Sequence, residues 1–459
     1  MKEALPKALL DELDDVESFN KENFIAAHSQ QLATSVRFND EKLKRFTSTN
    51  KITHPDFILG EQVKWCEFGF YLDERPFFTL DPLLHAGAYY VQEASSMFLY
   101  EVLQQTCTDN NKKVLDLCAA PGGKSSLIAS YFKNSLIVSN EIIKQRANIL
   151  YENITKWGAA NIIITNNDAT DFKPLKNYFD VIVVDAPCSG SGLFRKDIDA
   201  IEEWSVENVN LCSQRQQRIL ADVYSALKQD GILIYSTCSY SKQEDEDILD
   251  WLKTNFDLDS IQLKIKEEWN ISETQSTKHK AFGYRFWPDK VKGEGFFIAA
   301  FKKSDGDLSA LKFAKNNLLK ANRKQTEVVS NYIESNDWFF FNHAENVRVI
   351  NSKWKDDLSI LQKYLHLRKA GVNLGEVIRD ELVPHHELAL STIIKNDILK
   401  TELTKEEALQ YLRKREMNIE NKSKGWILSA YKNFPLGWLK LLQNRINNYY
   451  PTNWRIIKD

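Results

Sequence analysis

Two cysteines stand in settings that do not suit inert thiols. Cys188 lies in Val184-Asp185-Ala186-Pro187-Cys188-Ser189-Gly190-Ser191-Gly192, and Cys238 in Tyr235-Ser236-Thr237-Cys238-Ser239-Tyr240. Each follows a short apolar run, Val181 to Asp185 or Ile232 to Tyr235, that reads as a strand. Both cysteines therefore fall just past a strand's carboxyl end, the ligand edge of an open α/β sheet. A thiol placed there becomes a nucleophile when its pKa is depressed or a base lies beside it. Cys66, Cys107 and Cys212 carry no such context and read as small buried hydrophobes. No cysteines form a C-x-x-C pair, which argues against a zinc ribbon, and the only close histidine pair, His385-His386, lacks the H-E-x-x-H spacing. That pair is expected in a solvated loop, and no metal site is expected.

A third chemistry-bearing stretch is Asp116-Leu117-Cys118-Ala119-Ala120-Pro121-Gly122-Gly123-Lys124-Ser125. It follows a strand candidate and opens a helix. Small residues there let a ligand approach the backbone, and helix N-terminal amides favour an anionic group such as an amino-acid carboxylate. Gly123-Lys124-Ser125 ends like a P-loop, but that motif needs glycine where Cys118 stands. Glu141 comes about 20 residues after the glycine loop, where nucleotide-binding sheets place a carboxylate for ribose hydroxyls. Asp168 ends the next strand candidate and is expected at an adenine edge. Asp185 can accept a hydrogen bond from an exocyclic amine. Enzymes that methylate amines usually carry Asn/Asp-Pro-Pro-aromatic at this place; a cysteine after the proline points to chemistry on a ring carbon.

The elements that must position these residues alternate. Val114 to Leu117, Leu136 to Ser139, Ile162 to Ile164, Val181 to Asp185 and Ile232 to Tyr235 are short, continuous and rich in β-branched residues, as strands covered on both faces are. Helix-length amphipathic segments lie between them, for example Lys144 to Trp157 and Asn208 to Leu227. Repeated βα units imply a parallel sheet with right-handed crossovers. Gly295 to Phe301 is expected to close it as an edge strand. Before this region, Leu5 to Val16, Lys21 to Ala33 and Asn39 to Phe46 have helical composition, and Phe57 to Glu74 is more strand-like. After it, Lys303 to Asp307 is a polar linker. The end of the chain is basic and aromatic: seven Lys/Arg between Lys422 and Lys458, interleaved with Trp426, Tyr431, Trp438, Tyr449, Tyr450 and Trp454. That mixture suits phosphate contact and base stacking.

The 459 residues exceed one ordinary core. A 43% hydrophobic, 27% charged composition is that of a globular protein. The net charge of only -3 means that any RNA-binding face must arise from local segregation of charge. No apolar run nears 18 residues and the acidic N-terminus is no secretory leader, so a cytoplasmic, membrane-free monomer is expected. Paired cysteines have a chemical logic on a pyrimidine. Carbon 5 of cytosine is a poor nucleophile; a thiolate added to carbon 6 makes carbon 5 enamine-like, and a base must then remove its proton so the thiolate can leave.

On these motifs, together with Tyr90 to Met97, Gly293 to Phe297 and the Arg37-Phe38-Asn39 element, the sequence resembles the NSUN/RsmF-type RNA cytosine-C5 methyltransferases. Gly425-Trp426, Gly437-Trp438 and Asn444 to Pro451 are similar to the C-terminal extension of the RsmF branch. The resemblance implies a Rossmann-like class I α/β methyltransferase sheet. It would be flanked by an α+β N-terminal RNA-binding subdomain (1–75) and followed, after a catalytic domain at 76–303, by a C-terminal RNA-binding extension (308–459) ending in a PUA-like module. It implies S-adenosylmethionine as cofactor, held by Cys118, Ala119, Ala120, Pro121, Gly122, Gly123, Lys124, Glu141, Asp168 and Asp185. It implies Cys238 as the nucleophile, Cys188 as the residue assisting release and Asp185 as their catalytic partner. The implied substrate is small-subunit (16S) rRNA, with tRNA second and DNA excluded because DNA enzymes lack the Thr-Cys-Ser motif. A non-catalytic ribosome-assembly factor would be expected to have lost Cys238, Asp185 or the glycine loop; all are present.

Overall fold

The computed structural model describes residues 5–47, 57–305, 318–417 and 424–457. The end of the expected linker (Gly306, Asp307) and both ends of the basic tail (Lys422, Lys458) lie outside the described residues.

The chain opens with helices Lys7–Leu13, Lys21–Ala27 and Asp40–Phe46 and a small antiparallel sheet of β1 (Thr34–Phe38), β2 (Leu59–Gln62), β3 (Gly69–Leu72) and β4 (Tyr89–Val91), in the order β2-β3-β1-β4. The helix expected over Lys21 to Ala33 stops at Ala27, because Thr34 begins β1, whose five residues are all buried. Next come β5 (Lys113–Asp116), β6 (Leu136–Asn140), β7 (Ile162–Thr165), β8 (Phe179–Asp185) and β9 (Leu227–Thr237), then β10 (Leu258–Ser260), β11 (Ser272–Gln275), β12 (Phe282–Phe286) and β13 (Phe296–Lys303). The last third holds β14 (Leu319–Lys320), β15 (Trp338–His343), β16 (Asn346–Asn351), β17 (Leu367–Ala370), β18 (Val372–Ile378), β19 (Glu381–Pro384), β20 (Lys400–Glu402), β21 (Gly425–Tyr431), β22 (Phe434–Leu441) and β23 (Ile446–Asn448).

The central sheet runs β11-β12-β13-β9-β8-β5-β6-β7-β17, with β10 paired to β13. Its core, β9-β8-β5-β6-β7, is parallel throughout. Those strands are buried on both faces: Val114, Leu115, Ile137, Val138, Ile163, Ile182 and Val183 have no exposed surface. That double burial is why each reads as a continuous apolar run with no alternation. β13 is not the expected edge strand; β12 and β9 pair with its two sides, and its apolar run reflects that interior place. The chain leaves β5 toward β6 on one side and enters β8 on the other, so the crevice at the carboxyl ends of β5 and β8 is the sheet's switch point.

Sheet membership and chain order part company in two places. β4 completes the N-terminal sheet, and β17 joins the central sheet antiparallel to β7. The remaining C-terminal strands form a five-stranded sheet, β14-β15-β16-β18-β19, and a four-stranded one, β20-β21-β22-β23. The two ends of the chain share one core, in which Val36, Phe38, Leu72 and Tyr89 pack with Tyr411, Ile427, Leu436 and Leu439.

Two further expectations are corrected. His385-His386 is no solvated loop: His385 caps the helix His386–Leu390 by accepting from the Glu387 amide, and His386 is buried beside Tyr450 and Trp454. Burial pulls the His386 imidazole well below its ordinary pKa. Of the six aromatics in the tail, Tyr431, Trp438 and Tyr450 belong to the core, where strands β21 and β22 pack inward. Only Tyr449 is exposed, with Trp426 and Trp454 half-buried.

Candidate active site

Sheet register brings the cysteine motifs together. β8 and β9 are parallel, and Asp185 stands opposite Ser236. The chains leave both strands at the same level, and Cys188 and Cys238 meet with their sulfurs 3.2 Å apart. Gly192 makes this approach feasible: a Cβ there would lie 2.6 Å from the Cys238 carbonyl oxygen. Its amide donates to that same oxygen at 2.8 Å. The Cys238 sulfur and burial hold the Cys188 thiol well above its ordinary value.

Beside the cysteines is a cleft of about 260 Å³, lined by Cys118, Ala119, Ala120, Pro121, Gly123, Lys124, Asp185 and Cys238 on the sheet side and by Tyr90, Glu93, Glu294 and Phe296 opposite. Lys124 Nζ pairs with Asp185 Oδ2 at 2.9 Å, and Ser236 Oγ donates to Asp185 Oδ1 at 2.8 Å. Burial works against the Lys124 ammonium, but the acidic groups around it, Asp185 foremost, together outweigh burial and raise its pKa. Asp116, fully buried at the base of the loop, accepts from Ser125 Oγ at 2.6 Å, while its Oδ1 has no hydrogen-bond partner among the described residues. Burial pushes its carboxyl up to about 7, against the Ser125 hydrogen bond.

Helix Gly123–Tyr131 begins at the cleft, and its N-cap, Gly122, has a φ of 114°. That left-handed turn suits glycine, and a glycine supplies no capping side chain. Gly122 itself faces away, toward Leu150 and Ile154. Glu141 directly follows β6 and Asp168 lies three residues past the end of β7, and neither lines this cleft. Glu141 is buried, accepts from the Ile143 amide and lies 3.5 Å from Arg146. Asp168 caps a 3-10 turn and pairs with Arg218 at 3.4 Å.

The Arg37-Phe38-Asn39 element is a bolt between domains. Arg37 is buried, donates to Gln92 and to Ser126 on the glycine-loop helix, and stacks on Trp157. Asn39 donates to the carbonyls of Gly87 and Trp157. Sequence reasoning assigned no role to Glu93, Glu244 or Glu294. The Glu294 carboxyl is pushed up to about 7 by burial, and Glu93 adds to that against Arg195. Glu93 and Glu294 sit inside recognised stretches; Glu244 carries no motif signal of its own.

Comparison with known proteins places this arrangement. The family model for the 16S rRNA methyltransferase RsmB/F matches residues 104–302, that for the N-terminal domain of 16S rRNA methyltransferase RsmF matches 5–94, and that for the methyltransferase RsmF PUA domain matches 398–456. The ribosomal RNA small subunit methyltransferase F of Psychromonas ingrahamii is 31% identical, over 98% of this chain and 97% of that protein. Its namesake in Shewanella piezotolerans is 30% identical, over 95% and 94%. Among solved structures, a methyltransferase homologue from Pyrococcus horikoshii aligns with a TM-score of 0.51 and 28% identity, covering 65% of this chain and all (100%) of the other. NSun6 from the same organism, solved with the S-adenosylmethionine analogue SFG, shares the fold, with a TM-score of 0.55 at 18% identity over 66% of this chain and 100% of the other. The chain belongs to the RsmB/F family of 16S rRNA methyltransferases, in its F branch.

Proposed function

We propose that this protein methylates carbon 5 of a cytosine in small-subunit rRNA through a covalent adduct on Cys238. The observation that carries the reading is the meeting of two cysteine sulfurs at 3.2 Å next to the cleft that Asp185 and Lys124 line. S-adenosylmethionine, when bound, supplies an electrophilic methyl group. The residues present suit it: a helix start without a side-chain cap favours the amino-acid carboxylate, and Glu141 at the end of β6 suits the ribose. Cys118 to Lys124 form the loop around the amino-acid end, and Asp168 is assigned to the adenine edge.

In this reading Cys238 adds to carbon 6 of the base. Asp185, held from two sides by Lys124 and Ser236, accepts a hydrogen bond from the exocyclic amine. The methylated adduct then gives up its carbon-5 proton to a base as the bond from Cys238 to carbon 6 breaks, and the Cys188 sulfur, 3.2 Å from that of Cys238, stands beside the adduct to assist this release. The target base must leave its stack to reach Cys238, and the C-terminal module would grip the surrounding RNA.

Bisulfite sequencing of rRNA and tRNA from cells with and without the protein tests this. A 16S cytosine should lose protection in the deletion and regain it with wild type but not with Cys238→Ala. Protection restored by Cys238→Ala would overturn the nucleophile, and a tRNA site instead would reassign the substrate.

A further inference from the structure

We infer that Glu244 is the positioning residue that holds the two cysteine loops in register. Its carboxyl bonds to the residue following each cysteine. One oxygen accepts from the Ser189 amide at 2.8 Å; the other accepts from Ser189 Oγ at 2.5 Å and Ser239 Oγ at 2.6 Å. A fourth donor is Gln216 Nε2 at 3.3 Å, which also donates to the Pro187 carbonyl at 3.1 Å. Ser239 Oγ in turn accepts from the Ser241 amide, and the Ser191 hydroxyl accepts from the Tyr240 amide. Glu244, Gln216, Ser191 and Ser241 have no exposed surface.

A carboxyl in such a place is costly unless its lone pairs are filled. Here four donors fill them, and charge-assisted bonds of this kind are the strong ones. Burial raises the Glu244 pKa and the hydrogen bonds from Ser189, Ser239 and Gln216 oppose that rise. β8 and β9 fix where the two loops begin, but their pairing with each other ends at Asp185 and Ser236, and past it isolated bonds such as Gly192 N–H to the Cys238 carbonyl join the loops. Glu244 takes over at that point. Glu244 does not line the cleft; it acts on the two loops through its bonds to Ser189 and Ser239, and its charge also raises the Cys188 pKa through space.

The consequence for chemistry rests on the two-cysteine reading above. Cys188 can assist release only if its sulfur stays beside the adduct sulfur, and a misplacement near 1 Å costs on the order of 10- to 100-fold in such steps. Attack by Cys238 depends less on that spacing.

Two readouts test the clamp. The first needs no RNA: the intact protein is treated with hydrogen peroxide, and the Cys188–Cys238 disulfide is followed by mass spectrometry. Two thiols lose two protons and two electrons as one peroxide becomes two waters. Disulfide formation should be roughly tenfold slower in Glu244→Ala than in wild type and largely restored in Glu244→Gln, which keeps the shape and can satisfy the same serines. The second follows single-turnover adduct formation and decay on denaturing gels with substrate RNA and S-adenosylmethionine; Glu244→Ala should slow decay more than formation. If Glu244→Ala does not fold, the Ser189→Ala/Ser239→Ala double variant removes the two hydroxyl arms and should slow both readouts in the same direction. Wild-type disulfide rates in both Glu244→Ala and the double variant would overturn the clamp, as would equal losses in Glu244→Ala and Glu244→Gln. A slowed disulfide together with no RNA adduct in wild type or Cys188→Ala would uphold the clamp and reject the covalent reading.

Discussion

The cysteine loops and the basic, aromatic C-terminal tail both advertise chemistry in the sequence, and the fold treats them in opposite ways. In the loops, polar side chains turn inward and bond to one another, and the sulfurs meet at 3.2 Å. In the tail, aromatics turn inward instead. Trp438 is 1% exposed, packs with Leu428 and Leu388, and donates its indole N–H to the His385 carbonyl at 3.0 Å. What remains outside is a small platform: Trp426 against Tyr449 at 4.5 Å, with Lys440 over the Trp426 ring at 5.0 Å. Spacing relative to a strand end locates a group in space; composition does not say which way a side chain faces.

The largest effect expected on this contrast is at Cys188. Cys188→Ala should lower multiple turnover by about 10³-fold or more while a protein–RNA adduct accumulates on denaturing gels. Turnover near wild type would remove that sulfur from the reaction. Trp438→Ala should cost about 3–5 kcal/mol of stability, read by denaturant unfolding, because it empties a filled core site. A near-neutral result would place the ring outside the core. Trp426→Ala should leave stability within about 1 kcal/mol and weaken RNA binding by about 1–3 kcal/mol, measured by titration at fixed salt. Unchanged affinity would assign RNA contact to another face.

The smallest effect concerns the base of the glycine loop. Asp116 is pushed up to about 7 by burial, so the folded chain binds its proton more tightly than the unfolded chain does. Stability from this group is full at acid pH and is lost as pH rises from about 4 through about 7. Asp116→Asn should flatten the fall in unfolding free energy of the cofactor-free protein between pH 5 and pH 8 by about 1 kcal/mol or more, read by denaturant unfolding at each pH. Glu12 and Glu294, also raised to about 7 by burial, leave a residual slope. An unaltered slope would show that Asp116 does not titrate in that window.

Much of the candidate site is legible in the order of residues alone. Apolar runs mark β5 to β9, because strands buried on both faces must be apolar throughout, and the glycine loop, Asp185, Cys188 and Cys238 follow at their ends. The burial of His386 is not legible there, since its partners lie far along the chain, and neither is the interior place of β13, since its neighbour β12 carries Gly283 and Arg285 and does not read as an apolar run. His386 is covered by Tyr450 and Trp454, and β13 by β12 and β9.

By itself, then, the sequence determined the parallel sheet, its ligand edge and the residue types offered there, because periodicity and strand ends are local properties of the chain. Only the tertiary structure decided the register of Asp185 against Ser236, the bolt from Arg37 to the glycine-loop helix, the joining of β17 to β7 and the link from Glu244 to both cysteine loops. Those contacts join residues distant in sequence, and which buried donors find which acceptors is settled only when the whole core closes.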